Sequence, residues 1–228
     1  MNPITLTVTV PSAAAATSIC LSQAVAAAGA LTINGSFATA GVATLDTPRR
    51  VAVVSASASD TSSKTIKITG TDRFGNAQSE TIAMNGTTSV SSVYDYQTVK
   101  IVYSNQAMTG NISVGTNSIA SSQWFCLSRE MTPYIVGAAI QTGTGTTANL
   151  DYTYDDPNAV PVGYPNGTVE PGSQTPPVAW TAASPLNAVA ATKADALLST
   201  PVFAYRLTVT AGTGAATMWL IQAGINGA

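Results

Sequence analysis

Residues 68–84 read ITGTDRFGNAQSETIAM, and this stretch decides the fold class. Ile66 and Ile68 alternate with Lys67 and Thr69 on the way in, and Ile82 and Met84 alternate with Thr81 and Ala83 on the way out. A period of two with one apolar face marks a half-buried strand. Between the two runs stand Asp72-Arg73-Phe74-Gly75-Asn76. Asp and Asn bond to nearby backbone and Gly accepts a positive φ, so this is turn chemistry. The stretch predicts an antiparallel hairpin. Its tip carries Asp72 and Arg73 in a chain otherwise short of charge, which raises three readings: a catalytic loop, a ligand-binding loop, or only a hairpin in a protein that works by packing, its tip solvated or held in a local ion pair, with an inter-subunit contact as the sharper reading.

Working outward, the same period recurs. ITLTVTV at 4–10 puts Ile4, Leu6, Val8 and Val10 on one face and Thr5, Thr7 and Thr9 on the other. That regularity, without a basic leader, reads as a strand of the mature protein and not as a signal peptide. Residues 12–31 are alanine-rich; alanine favours helix, but Gly29 and the LTING that follows favour extended chain, which is the expectation. From Val42 come VATLD, RRVAVVSA, KTIKITG, SETIAM, YQTVKIVYS and GNISVGT, with turn residues at Asn34-Gly35, Asn85-Gly86 and Gly110-Asn111. Short strands roughly 8–12 residues apart predict an all-β antiparallel sandwich or barrel.

The second half repeats the pattern. PYIVGAAIQ and ANLDYTYDD flank TGTGTT at 142–147, and FAYRLTVT is followed by AGTG and then by MWLIQ. Both arrangements predict hairpins. The expected division is an N-terminal sandwich over 1–128 and a C-terminal β domain over 129–228, with jelly-roll-like sheets. Between Pro157 and Pro185 lie seven of the twelve prolines. Proline fixes φ and removes a donor, so this is neither helix nor central strand. It carries one charge, Glu170, together with Tyr164, Val178 and Trp180. An extended arm on a neighbouring surface is the favoured reading, beside a self-packed loop or disorder. The following LNAVAATKADALLS reads as a short helix opened by Pro185, or as a loop.

Composition narrows the function. Of 228 residues only 9% are charged, against about 25% in ordinary soluble domains. Thr, Ser, Asn and Gly take their place. Such a surface can be buried against a partner without the desolvation cost of charges. It suits a protein in dense contact with copies of itself or with other chains; a secreted or cell-surface β protein is the alternative. Net charge is −2 and the one adjacent basic pair is Arg49-Arg50, which argues against nucleic acid. No apolar run approaches a membrane span. Cys20 and Cys126 make neither a disulfide framework nor a metal site, though they can pair if close.

There is no histidine, which removes Ser-His-Asp and Cys-His catalysis. GTGTT at 143–147 lacks the lysine of a phosphate loop. Asp151, Asp155 and Asp156 are the best carboxylate cluster, read as structural, with calcium binding or glycoside hydrolysis as lesser readings. Trp219 is expected in the core and Trp124 as a plug between domains, with sugar platforms at Trp124 or Trp180 as the alternative. Asn34, Asn85, Asn111 and Asn166 sit in glycosylation-like triplets that turn formation also explains. No cofactor is expected. The interface candidates are Arg49, Arg50, Asp72, Arg73, Tyr164 and Trp180.

Several segments resemble small β-rich virion structural proteins of tailed bacteriophages. They are GVATLDTPRRVAVVSA, the stretch from KTIKITGTDRFGNAQSET to KIVYS, LDYTYDDP, and TPVFAYRLTVTAGTGAATMWLIQAG. The proline-rich stretch is not part of this likeness. The resemblance implies a non-enzymatic component of the particle: a capsid decoration or cement protein that oligomerises and contacts the major capsid protein, or else a neck, tail or fibre-attachment component. A carbohydrate-binding adhesive module is a further alternative.

Overall fold

The computed structural model describes residues 4–10, 12–127, 135–154, 181–190, 193–199 and 201–222. The chain is all-β and its sheets are antiparallel. The first strands are β1 Ile4–Val10, β2 Ala15–Gln23, β3 Gly29–Ala30, β4 Ala38–Thr39, β5 Val42–Ser55 and β6 Thr65–Thr71. They continue with β7 Ala77–Ala83, β8 Val90–Ser104, β9 Ile112–Thr116, β10 Ala120–Ser121, β11 Phe125–Cys126 and β12 Val136–Thr142. The last are β13 Thr147–Thr153, β14 Thr181–Ala182, β15 Val189–Ala190, β16 Lys193–Leu198, β17 Ala204–Ala211 and β18 Gly214–Gln222. The chain divides into two compact units.

One unit comprises the described strands from Ser12 to Ser118. Its sheet runs β2-β9-β5-β8-β6-β7, with β3 on β8 and β4 on β5. The hairpin expected at 68–84 is present, with β6 and β7 paired from Thr65↔Ala83 to Thr71↔Ala77. The alanine-rich segment is extended, as its glycine and following turn require, and β2 buries Ser18, Ile19 and Cys20. β5 and β8 span 14 and 15 residues, and their mutual register shifts twice. Such bulges bend a strand and increase its twist. A single core gathers Ile19, Val53, Ile68, Ile82, Val102 and Val114 from six strands, so the sheet curls over on itself.

The other unit is a sandwich. One sheet runs β1-β18-β12-β16; the other runs β10-β17-β13-β14, with β11 on β17 and β15 on β13. Val8, Val10, Ile140, Met218 and Leu220 from the first sheet meet Leu150, Tyr205, Leu207 and Val209 from the second in one core. Alternating inward residues from two facing sheets are the pattern of such a fold.

Here the structure departs from four expectations. β1 pairs with β18 from Ile4↔Leu220 to Val10↔Gly214, so the opening strand and the described residues from Ile119 to Leu127 pack with the C-terminal half, unlike a cut at 128. Local pattern identifies a strand but not its partner, which is why the boundary shifts.

Neither glycine-threonine turn makes a hairpin. β12 pairs with β16 and β18, and β13 pairs with β14, β15 and β17, so residues 143–146 cross between sheets. The turn after β17 likewise carries the chain to β18 in the opposite sheet. These two corners pack together: the Gly143 amide donates to the Ala215 carbonyl (2.9 Å) and Thr146 Oγ1 donates to the Thr213 carbonyl (2.9 Å). Gly212 has φ +86°, and a Cβ there would lie 1.8 Å from the Gly145 carbonyl oxygen. Only glycine fits that approach.

The segment expected as a helix or loop after Pro185 contains β15 and β16. In β16, Ala194, Ala196 and Leu198 turn toward the core while Lys193, Asp195 and Leu197 point out, a period of two that overrides the helical preference of alanine and leucine. Trp219 is not in the core. Met218 and Leu220 are buried, and Trp219 and Ile221 occupy the outer face of β18. With apolar residues on both faces of MWLIQ, alternation cannot say which points inward. The expected arm lies outside the described residues up to 180; its last residues carry β14, paired with β13 at Asp151 and Tyr152.

The register of β18 has a direct test. Met218→Ala is expected to destabilise by about 2–5 kcal/mol, the usual cost of emptying a core site. Trp219→Ala, at a half-buried ring on the outer face beneath Lys193, is expected to cost less, about 1 kcal/mol. Urea unfolding followed by far-UV circular dichroism measures both, and the reverse order would mean that β18 is flipped.

Candidate interaction surface

The charged hairpin tip is occupied with its own turn. Asp72 Oδ1 accepts from the amides of Phe74 (2.8 Å) and Asn76 (2.9 Å), and Oδ2 accepts from Asn76 Nδ2 (3.1 Å). Gly75 supplies the left-handed residue, φ +84°. The aromatic ring of Phe74 is left 66% exposed at the apex.

The interface candidates fall into three groups. Arg49 is fully buried. Its guanidinium donates to the carbonyls of Ser12 (2.8 Å) and Ala13 (3.4 Å) and to Thr116 Oγ1, pairs with Asp46 at 3.4 Å, and lies 5.8 Å from the Phe37 ring centroid. Burial lowers its affinity for the proton, opposed by Asp46. It locks the unit together and has no surface to offer. Arg50 and Arg73 converge on Asp95 at 4.0 and 3.8 Å, where the three are partly buried. The Glu80 carboxylate beside them accepts from the amides of Val93 (2.8 Å) and Tyr94 (3.1 Å). Burial pushes its pKa up from the ordinary value, against those hydrogen bonds and the charge of Arg50. Tyr164 and Trp180 lie outside the described residues.

The carboxylates are also bound internally. Asp60, fully buried, accepts from Ser55 Oγ, Lys64 Nζ (2.7 Å), Thr109 N (2.8 Å) and Gly110 N (3.0 Å). Burial alone would raise its pKa; the bonds from Lys64, Ser55, Thr109 and Gly110 outweigh it and hold the carboxyl far below its ordinary value of 3.8. Asp151 Oδ2 accepts from Arg206 Nε (3.2 Å) and Thr208 Oγ1 (2.6 Å), and Trp124 lies over the same guanidinium at 4.5 Å. Trp124 therefore covers an ion pair inside the sandwich unit. Asp155 and Asp156 lie outside the described residues. Cys20 is buried, which pushes its thiol up to about 12, and Cys126 is exposed; neither forms a disulfide. Among the described residues no group of three or more acidic, cysteine or histidine side chains converges as a metal site.

One surface presented to solvent is largely apolar. On the outer face of the β1-β18-β12-β16 sheet, Gly137 and Ala139 of β12 form a floor. Register places Ile221 and Trp219 of β18 on one side and Leu197 and Asp195 of β16 on the other. The walls rise over small residues and leave a trough of about 200 Å³. Leu197 is 80% exposed and Ile221 47%. Lys193 Nζ lies 5.8 Å from the Trp219 ring centroid, so the one aromatic platform here carries a cation over it. Leu197 is not among the candidates legible in the sequence, since KADALL reads there as helix or loop; a period of two places it outward beside Lys193 and Asp195.

Comparison with protein-family models and with curated proteins finds no match for the chain.

The Asp60 cluster sets an acid limit on stability. Because its folded pKa is depressed, its contribution is complete above about pH 5 and is lost progressively as pH falls through and below the unfolded value. Asp60→Asn removes the Lys64 pair and sets an amide against two backbone donors, at an expected cost of about 3 kcal/mol at pH 7. The expected result is a smaller difference between wild type and variant in urea melts as pH falls from about 6 to 2. A difference independent of pH would show that the Asp60 carboxyl has no depressed pKa.

Proposed function

We propose that the protein is a non-enzymatic structural component of a bacteriophage virion, a capsid decoration or cement protein that works by contact between copies and with the major capsid protein. The observation that carries this reading is the outward apolar face formed by the exposed Leu197 and Ile221 and the half-buried Trp219 on a chain with 9% charged residues. Contiguous exposed apolar surface of this kind marks interaction sites. Its low charge keeps the desolvation cost of docking small. Lys193 and Asp195 project from the same face two residues apart, so a second copy related by a two-fold axis can meet it with opposite charges. The phage-like segments described from the sequence point the same way. The alternative of a neck, tail or fibre-attachment component uses the same surface and differs in its location on the particle.

Sedimentation velocity over a range of concentrations tests the contact, and binding to isolated particles tests its setting. Wild type is expected to self-associate and to co-sediment with heads. Leu197→Asp is expected to weaken self-association by about 30-fold or more, equivalent to the ~2 kcal/mol of an interface hot spot. It should leave the thermal midpoint nearly unchanged, since Leu197 is 80% exposed. A wild-type protein that stays monomeric and ignores particles would refute the proposal.

A further inference from the structure

At one end of the sandwich, where β13 and β17 meet the end of β16, the chain forms a second concavity, of about 400 Å³. That size falls within the ~300–1,000 Å³ of small-ligand sites. Tyr152, Tyr154 and Tyr205 line it with Ser184, Ser199 and Leu197. Tyr152 and Tyr205 are cross-strand partners, so the strand ladder sets their positions. Tyr152 and Tyr154 stand edge to face, with centroids 5.6 Å apart and planes 82° apart. Tyr154 is 61% exposed and presents much of its ring to solvent. Two perpendicular rings offer a floor and a wall for an apolar face.

We propose that this tyrosine cleft binds a neutral saccharide. A sugar ring has an apolar C–H face and a rim of hydroxyls. The cleft offers both complements: aromatic rings for the face, and phenol and serine hydroxyls that can each donate and accept. Among the described residues that line it none is Asp, Glu, Lys or Arg, so this lining offers nothing to compensate a charged ligand on desolvation. A proline-rich peptide would use the rings but would supply few hydroxyls to meet Ser184 and Ser199. The cleft shares Leu197 with the trough, so Tyr154, which lines the cleft alone, is the residue that separates saccharide binding from self-association; the site differs from Trp124, which lies over Arg206.

The test is the full-length protein on an array of neutral and charged glycans, with hits titrated by calorimetry. At least one neutral glycan is expected to bind. Tyr154→Ala should weaken it tenfold or more without lowering the thermal midpoint, whereas Tyr154→Phe should keep most of the affinity and Phe74→Ala all of it. No neutral hit, binding confined to charged glycans, or affinity untouched by Tyr154→Ala would overturn the proposal. So would capture of a synthetic peptide of residues 155–180 in place of any glycan.

Discussion

Seven residue pairs between Ile4–Val10 and Gly214–Leu220 join the two ends of the described chain, and the sandwich unit depends on that ladder. β1 brings Val8 and Val10 into the core, with Ile4 and Leu6 packed beside them. Its partner β18 brings Met218 and Leu220 from the far end of the sequence. The ladder gives the sheet an edge strand whose outer side chains are Thr5, Thr7 and Thr9, hydroxyls that remain solvated. It also fixes which face of β18 turns outward, and so puts Trp219 and Ile221 on the surface. Loop closure over this separation costs entropy that grows only slowly with length, and the buried apolar side chains offset it.

Several of the scarce charges lie inside, while Lys67, Lys100, Lys193 and Asp195 stay exposed. Arg49, Asp60, Asp151 and Arg206 are buried and hydrogen-bonded, while Arg50 and Arg73 share Asp95. A buried ion is tolerable only when most of its lone pairs and protons find partners. Asp60 meets that condition through four donors, whereas the Arg49 Nε–H makes no hydrogen bond and relies on the Asp46 carboxylate at 3.4 Å. The outcome is a surface dominated by hydroxyls, small residues and a few exposed apolar side chains. Long-range electrostatic steering is weak for such a surface.

The apolar trough and the tyrosine cleft share Leu197, which stands between them. One is walled by aliphatic and indole groups over a glycine-alanine floor; the other is lined by phenols and hydroxyls. Both arise because β16 runs along the sheet edge, presents Lys193, Asp195 and Leu197 outward, and ends beside β13 and β17. A single edge strand thus sets the chemistry of both surfaces.

The sequence by itself determined the all-β class, the 68–84 hairpin and its self-capped tip, and the strand character of residues 4–10, because period two and Asp-Gly-Asn turn chemistry are local properties. Composition alone also carried the shortage of charge. Tertiary structure decided what depends on partners. It made the Gly-Thr turns into corners between sheets, since a turn does not encode which strand its neighbour will pair with. It turned KADALL into an edge strand, since pairing with β12 outweighs alanine's helical preference. It buried Arg49 and turned Trp219 to the outer face, since a one-residue choice of face inverts every side chain on a strand, and only the opposing sheet settles that choice.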